Sequence, residues 1–351
     1  MNSQQSDILL AAYASHGDTK HPLLFPASPK ECFEMTAAAF DLTERLQTPV
    51  IVMTDLDLGM NDHVTEPLAW DDSRVHDRGK VLTTEQLDRI STASLAGSRS
   101  SSLHEADNPG DGNGNGTRHN AADLPGHDGS SETAGEPLQQ FRGKFGRYLD
   151  VDDDGIPYRT IPGTHASRGA FVTRGSSRDE YAVYTEDGEA YRRNVDRLAR
   201  KWDTAKELVP QPEFYVIKNE DGRKKVEGLG TRDLGDASIS FVPHSATSSG
   251  VIFFGTSSYA AEEAIEMLAE EGVLLDAMRV RAFPFGRAFR DFVDSHDKVF
   301  VIEQNRDAQF RSLMMIELGI DPAKLVSVLN YDGTPITAEN IFRQIKSNID
   351  A

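Results

Sequence analysis

From Val251 to Lys346 apolar runs and amphipathic stretches alternate, and few folds accommodate that pattern. Strands are expected at Val251–Phe254, within Val273–Phe283, at Lys298–Glu303 and at Leu325–Leu329. Helices are expected at Ser258–Glu271, Gly286–Ser295, Asp307–Leu318 and Thr337–Lys346. Strand followed by helix, repeated, predicts a doubly wound parallel sheet of the α/β class. Ligands of such sheets sit beyond the carboxyl ends of the strands, which directs attention to Gly255-Thr256-Ser257-Ser258 and Gln304-Asn305-Arg306. The Gly255 turn lacks the G-x-G-x-x-G spacing of a dinucleotide site and reads as a strand-to-helix turn with Ser258 as N-cap.

The N-terminal part carries one more unit of this kind. His21–Asp55 reads as β-α-β, with a strand over Pro22–Phe25 and a helix opened by Ser28-Pro29-Lys30-Glu31. That tetrad is a capping box with proline at the first helical position, where a missing N–H costs nothing. Cys32, Met35, Ala39, Leu42 and Leu46 then form an apolar stripe, Thr48-Pro49 ends the helix, and Val50–Thr54 is an apolar strand. So apolar a strand is expected to be covered on both faces. One β-α-β unit cannot supply that cover, so a partner chain or further residues are expected to complete the sheet.

Between these parts the composition changes. Ala93–Pro137 is rich in Gly, Ser, Asn, Asp and Pro, has no aromatic residue, and is expected to be a disordered insert, because it cannot bury enough surface to offset its ordering entropy. Phe141–Pro212 is loop-rich, with an amphipathic helix around Ala190–Leu208, and Asp203–Ser249 reads as a charged connector with a strand at Phe214–Ile217.

Three motifs stand out in these regions. Asp150, Asp152, Asp154 and Gly155 repeat the first half of an EF-hand loop, but Ile161 stands where the bidentate glutamate belongs, so an Asp-Gly turn is expected and no metal site. Gly110-Asp111-Gly112 matches the start of a thiamine-diphosphate metal motif, but it lies inside the insert with no strand before it. Arg174, beside Gly175 and the hydroxyls of Ser176 and Ser177, suits bidentate carboxylate recognition, and Thr164 and His165 could join it as polar anchor or proton donor. The plain alternative pairs Arg174 with Asp179 or Glu180. No nucleophile elbow, catalytic triad or P-loop is legible.

Composition excludes several classes. With Lys+Arg 37 against Asp+Glu 56 the net charge is −19, contrary to what a phosphate-backbone binder requires, so no nucleic-acid partner is expected. The single Cys32 rules out an internal disulfide, a Cys-ligated zinc and an iron–sulfur cluster held by this chain alone. No apolar run reaches the roughly 18–20 residues of a spanning helix, and no basic n-region precedes the first apolar stretch, so the expected localisation is cytoplasmic, without membrane attachment.

LLFPASPKECFEMTAAAFDLTERLQTPVIVMTDLDLGMN (Leu23–Asn61), RYLDVDDDGIPYRTIPGTH (Arg147–His165), FVTRGSSRDEY (Phe171–Tyr181) and VFVIEQNRDAQFRSLM (Val299–Met314) together resemble the α subunit of 2-oxoacid:ferredoxin oxidoreductases, most closely the 2-oxoglutarate type. The resemblance implies the second half of a thiamine-diphosphate pyrimidine-binding domain at 1–92, the insert at 93–137, a loop-rich segment and connector at 138–248, and a transketolase-C-terminal-like domain at 249–351. It also implies that the family's gamma-type domain, and the half-domain carrying the glutamate that activates the cofactor, have no counterpart in this sequence. The implied reaction is CoA-dependent oxidative decarboxylation to an acyl-CoA, CO₂ and reduced ferredoxin. The β subunit would supply the diphosphate–Mg²⁺ site and a [4Fe–4S] cluster, in an (αβ)₂ assembly. Thr164, His165, Arg174, Ser176 and Ser177 become candidates for the substrate-pocket wall. Two readings compete: a non-catalytic scaffold subunit that keeps the fold, and a free-standing small-molecule-binding module using the Gly255 loop.

Overall fold

The computed structural model describes residues 5–90, 141, 143–220, 223–229 and 248–350, with backbone alone for 216–220 and 223–229. The expected insert, Ala93–Pro137, and its Gly110-Asp111-Gly112 match lie outside the described residues. The chain forms two compact units, one of Met1–Gly79 with Leu198–Ala351, the other of Lys80–Arg197.

The first unit holds α1 (Ile8–Ala12), β1 (Leu23–Leu24), α2 (Pro29–Leu46), β2 (Ile51–Val52) and α3 (Leu56–Met60). Ser28 caps α2 by accepting from the Glu31 N–H at 3.2 Å, as the tetrad predicts. The Glu31 carboxylate, however, reaches back one residue further and accepts from the Ala27 N–H at 2.8 Å. Gln47, at φ 51°, ends the helix in the left-handed region.

After α4 (Gly188–Leu208), which straddles the boundary between the units, come β3 (Glu213–Glu220), β4 (Arg223–Leu229), β5 (Ser249–Phe254), α5 (Ser257–Glu270), β6 (Asp276–Val280), β7 (Ala282–Phe283), α6 (Arg287–Asp294), β8 (Lys298–Glu303), α7 (Gln309–Leu318), β9 (Leu325–Leu329) and α8 (Ala338–Ile349). A six-stranded sheet runs β4-β3-β6-β5-β8-β9. Its β6-β5-β8-β9 portion is parallel, and β3 and β4 form an antiparallel hairpin at one edge. The segment expected to be mainly a charged connector therefore supplies two strands. Its Lys, Arg and Glu residues suit an edge, where charge discourages pairing with another chain.

A strand from later in the chain extends the N-terminal β-α-β unit on one side. Its strands form a three-stranded sheet, β2-β1-β7, in which β7 runs antiparallel to β1, pairing Leu23 with Phe283 and Leu24 with Ala282. β2 is the other edge of this sheet, and Val50–Met53 are only half-buried, so the described residues of this chain do not themselves cover both faces of that strand.

Strands β5 and β8 are buried on both faces, as a parallel sheet with two helical layers requires. Val251, Phe253, Phe300 and Ile302 pack against α5 and α8 residues such as Ala264, Leu268, Ile341 and Ile345. Ile252, Phe254, Val299 and Val301 face an aromatic core shared with Ile8, Leu23, Phe25, Phe283 and Phe310. Within it Phe254 stacks on Phe310 at 4.7 Å, and Phe25 meets Phe254 at 5.2 Å. These rings join the N-terminal strands to the large sheet and bring their carboxyl-end loops together.

Candidate functional site

In the large sheet β5 leads to β6 on one side and to β8 on the other, so the strand order switches between β5 and β8. Doubly wound sheets open a crevice at such a point. Here the loops after both strands are joined by a directed chain of hydrogen bonds. The Ile336 N–H donates to Gln304 Oε1 at 3.1 Å, which fixes the amide so that its Nε2 donates to Thr256 Oγ1 at 3.0 Å. The Thr256 hydroxyl then donates to Asp55 Oδ2 at 2.5 Å, and Gln5 Nε2 approaches the same oxygen at 3.4 Å. A backbone N–H at one end and a carboxylate at the other leave only one direction for every donor. Thr256 and Gln304 are 6% and 1% exposed, so the chain is shielded from solvent competition.

Glu303, fully buried at the end of β8, accepts from the Phe310 N–H at 2.7 Å, the Arg311 N–H at 3.0 Å and Asn305 Nδ2 at 2.8 Å. It caps α7 from the preceding strand, because Ala308 at the N-cap position has no side-chain acceptor. Burial pushes its carboxyl up, against the opposing effect of these three donors. Ser258 is not the cap of α5. Its hydroxyl donates back to the Gly255 carbonyl at 2.7 Å, as Ser257 does to Phe254 at 2.6 Å, and Thr256 holds the cap position with its side chain turned to Asp55.

Asp55 lines a small cleft of about 40 Å³, open to solvent, at the carboxyl ends of β1, β2 and β5. Phe25, Pro26, Met53 and Phe254 give it apolar walls, and Gln5, Asp7, Thr54 and Asp55 its polar groups. The Phe25–Ser28 side is held by an ionic quartet centred on the buried Arg279. Arg279 at the end of β6 bonds Glu31 and, at 3.0 Å, Glu213, while Arg281 lies 3.6 Å from Glu31 and 3.4 Å from Glu213. The carboxyl-end rule points to the Gly255 and Gln304 loops but not to Asp55 and Gln5; the one signal for Asp55 in the sequence is its place just after an apolar strand.

The five residues named from sequence all lie in the second unit. Thr164 closes a local turn, its hydroxyl donating to the Ile161 carbonyl at 2.7 Å and accepting from the Ile161 N–H at 3.1 Å. His165 Nδ1 accepts from the Ser167 and Arg168 N–H groups, both at 3.0 Å, which leaves Nε2 to carry the proton toward Asp88 at 3.3 Å. Arg174 and Ser176 are exposed, and the Ser177 hydroxyl is enclosed without a hydrogen-bond partner. Arg174 pairs with neither acid suggested for it, since Glu180 bonds Arg193, and Asp179 accepts from the Tyr181 and Val183 N–H groups at 2.9 Å. Gly175, at φ 75°, shapes this loop, because a Cβ there would lie 2.7 Å from the Tyr184 ring. No hydrogen bond or ion pair joins Thr164 or His165 to Arg174 among the described residues.

The half EF-hand is organised around a lysine. Lys80 Nζ lies 2.6 Å from Asp152, 2.7 Å from Asp154 and 3.0 Å from the Ile156 carbonyl. Asp150 accepts from the Gly155 N–H at 2.9 Å. Burial, followed by the charge of Asp152 and a hydrogen bond to it, pushes the neighbouring Tyr158 up to about 12. Lys80→Met is expected to destabilise the chain by about 1–2 kcal/mol, through two carboxylates left without their cation. Urea denaturation measures this, and an unchanged midpoint would show that the lysine is incidental.

Comparison with known proteins adds the following. Residues 1–88 match the family model described as pyruvate flavodoxin/ferredoxin oxidoreductase, thiamine diphosphate-binding. Over 345 residues the chain is 25% identical to 2-oxoacid:ferredoxin oxidoreductase 2, subunit alpha, of Aeropyrum pernix, covering 97% of this chain and 40% of that protein. It is 41% identical over 66 residues to 2-oxoglutarate synthase subunit KorA of Methanothermobacter marburgensis, covering 18% of each. The solved 2-oxoglutarate:ferredoxin oxidoreductase from Magnetococcus marinus, with 2-oxoglutarate, coenzyme A and succinyl-CoA bound, matches with a TM-score of 0.65 at 20% identity. That match covers 99% of this chain and 46% of the other, and at this identity it shows the fold. The chain thus spans less than half the length of these relatives.

Proposed function

We propose, from a chain that resembles 2-oxoacid:ferredoxin oxidoreductase α subunits over nearly its whole length, that it is the corresponding portion of such an enzyme and works with a β subunit. The reaction is oxidative decarboxylation of a 2-oxoacid, 2-oxoglutarate in this reading. The bond to the carboxylate breaks to release CO₂, the acyl group passes to the CoA thiol, and two electrons pass to ferredoxin. The proposed division is 1–92, 93–137, 138–248 and 249–351, the last being transketolase-C-terminal-like, in a cytoplasmic (αβ)₂ assembly.

The cleft at Asp55 is the observation that carries this reading. Its apolar walls and carboxylates suit a heteroaromatic ring bearing an amino group. None of its lining residues is cationic, so a diphosphate finds no counter-charge there. That donor set fits the ring half of thiamine diphosphate and leaves the diphosphate and Mg²⁺ to the β subunit. When bound, the cofactor supplies the carbon nucleophile and electron sink that decarboxylation needs. The chain's own contribution is to fix the ring: Phe25 and Phe254 exclude water, and the Ile336–Gln304–Thr256 chain holds Asp55 in place. Cys32 supports assigning the [4Fe–4S] cluster to the partner, because burial, with the negative charges of Glu31 and Asp55, pushes its thiol up and disfavours a thiolate ligand.

Arg174 is the proposed partner of a substrate carboxylate, with Thr164, His165, Ser176 and Ser177 along the same pocket wall. That no acidic partner of Arg174 is found among the described residues, in a chain of net charge −19, supports that role. In the assembled enzyme Arg174→Ala should raise the KM for 2-oxoglutarate about 10- to 100-fold, the equivalent of one charge-assisted hydrogen-bonded pair. An unchanged KM would remove Arg174 from the pocket. The reading as a whole is tested by co-expressing the chain with its β subunit and any further α-subunit segment, and following 2-oxoacid- and CoA-dependent viologen reduction. Turnover supports it. A stable complex without turnover favours the scaffold reading instead.

A further inference from the structure

Two arginines of the second unit, Arg147 and Arg178, have no acidic partner among the described residues. Lys80 takes Asp152 and Asp154, Arg168 takes Asp88, and Arg193 takes Glu180. Arg147 has no ion pair or hydrogen bond among the described residues, and its Nη1 is enclosed without an acceptor. Its guanidinium lies 5.3 Å from the Tyr148 ring centre and 5.6 Å from that of Phe171. Arg178 approaches the same Tyr148 ring at 5.8 Å. Among the described residues it bonds only neutral acceptors, the Tyr148 hydroxyl at 3.4 Å and the Gly175 carbonyl at 3.2 Å. Arg197, bonded to the Gly155 carbonyl at 2.8 Å, is a third guanidinium 5.8 Å from that ring.

We infer that the surround of Tyr148 is an oxyanion-binding pocket in which Arg147 and Arg178 take a phosphate or carboxylate group. A guanidinium drawn out of water without a counter-charge is unfavourable, and its planar fork matches the paired oxygens of an oxyanion. The Tyr148 hydroxyl accepts from Arg178, which leaves its own proton to donate to the ligand. Burial, opposed by Tyr148 and joined by the nearby charge of Arg159, pushes Arg147 down, the direction expected of a cation that lacks its anion. The inference goes beyond the oxoacid reading and does not depend on it, because neither Arg147 nor Arg178 was assigned a role there and the test needs no turnover.

The experiment follows thermal unfolding of the full chain in chloride, in inorganic phosphate and in glutarate at equal ionic strength. At about ten times Kd, phosphate or glutarate should raise the Tm by roughly 3–5 °C over chloride. A response to phosphate alone marks a phosphoryl ligand, and one to glutarate alone a carboxylate. Arg147→Met should raise the Tm in chloride, by removing an uncompensated charge, and abolish the anion response. Arg147→Lys should weaken anion binding about tenfold, by keeping charge and losing the fork. The pocket is overturned if neither anion shifts the wild-type Tm, if Arg147→Met keeps the full response, or if Arg147→Lys binds as tightly as wild type.

Discussion

Arg279→Met should lower the folding stability of the chain by about 3–5 kcal/mol, the usual cost of leaving buried charges without their partner. That corresponds to a fall in Tm on the order of 10 °C. The side chain is 8% exposed and lies between Glu31 at 15% and Glu213 at 22%, so solvent cannot replace it. The effect carries a pH signature. Burial works against ionised Glu31, but the hydrogen bond and charge of Arg279, the Ala27 N–H and the charge of Arg281 outweigh it and hold the carboxyl below its ordinary range. A depressed folded-state pKa contributes stability above the unfolded value and loses it as pH falls through the folded one. Arg279→Met removes the main cause of that depression, so the cost of the substitution should be largest near neutral pH and shrink as pH falls through the folded-state pKa of Glu31, where the wild type loses the same contribution. Urea titrations across pH 3–7 on wild type, Glu31→Gln, Arg279→Met and the double variant measure both effects. Additive single costs would show that the pair is not coupled. The quartet lies beside the cleft, because Glu31 also fixes the Ala27 N–H and with it the turn from Phe25 into α2.

How much of this was legible in the sequence depends on how local the cause is. Lys298–Glu303 and Leu325–Leu329 were expected as strands, and β8 and β9 have those bounds, because apolar runs between turns need no long-range information. Ser28 and Pro29 fix the start of α2 from within four residues. β7, two residues long, leaves no periodicity to read. The β3–β4 hairpin was hidden by charges that suit an exposed edge and mimic a linker. The site divides in the same way. The carboxyl-end rule located Thr256 and Gln304, but the bonds Asp55–Thr256 and Gln5–Asp55 join residues far apart in sequence, and nothing local signals them. The His165 ring and the Thr164 hydroxyl also satisfy backbone groups of their own turn, a common use of such residues in glycine-rich loops, and that local role has no signature in the sequence distinct from a binding one.

Gln304→Leu should cost about 2–4 kcal/mol and alter the Asp55 cleft as well. Leucine fills a similar volume but orphans two buried groups, the Ile336 N–H and the acceptor lone pair of Thr256, each worth about 1–3 kcal/mol when unsatisfied. Thr256→Val breaks the same chain one link nearer the cleft and removes the donor to Asp55 Oδ2. Because the links act in series, the double variant should lose clearly less than the sum of the single losses. Asp55 separates the structural share from the binding share. Its Oδ1 accepts from the Leu58 N–H at 3.1 Å as N-cap of α3, while Oδ2 serves Thr256 and Gln5. Asp55→Asn keeps one oxygen, so either the cap or the Thr256 bond fails, and stability should fall by only about 1–2 kcal/mol. If the cleft holds the cofactor ring, Asp55→Asn should weaken thiamine diphosphate binding to the assembled complex about tenfold or more, read as fluorescence quenching without turnover. Equal cofactor affinity alongside the expected stability loss would leave Asp55 a helix cap and move the ring site elsewhere. Gln304→Leu discriminates further, because it leaves the carboxylate present but unanchored: weaker cofactor binding there would show that Asp55 must be held in position as well as charged.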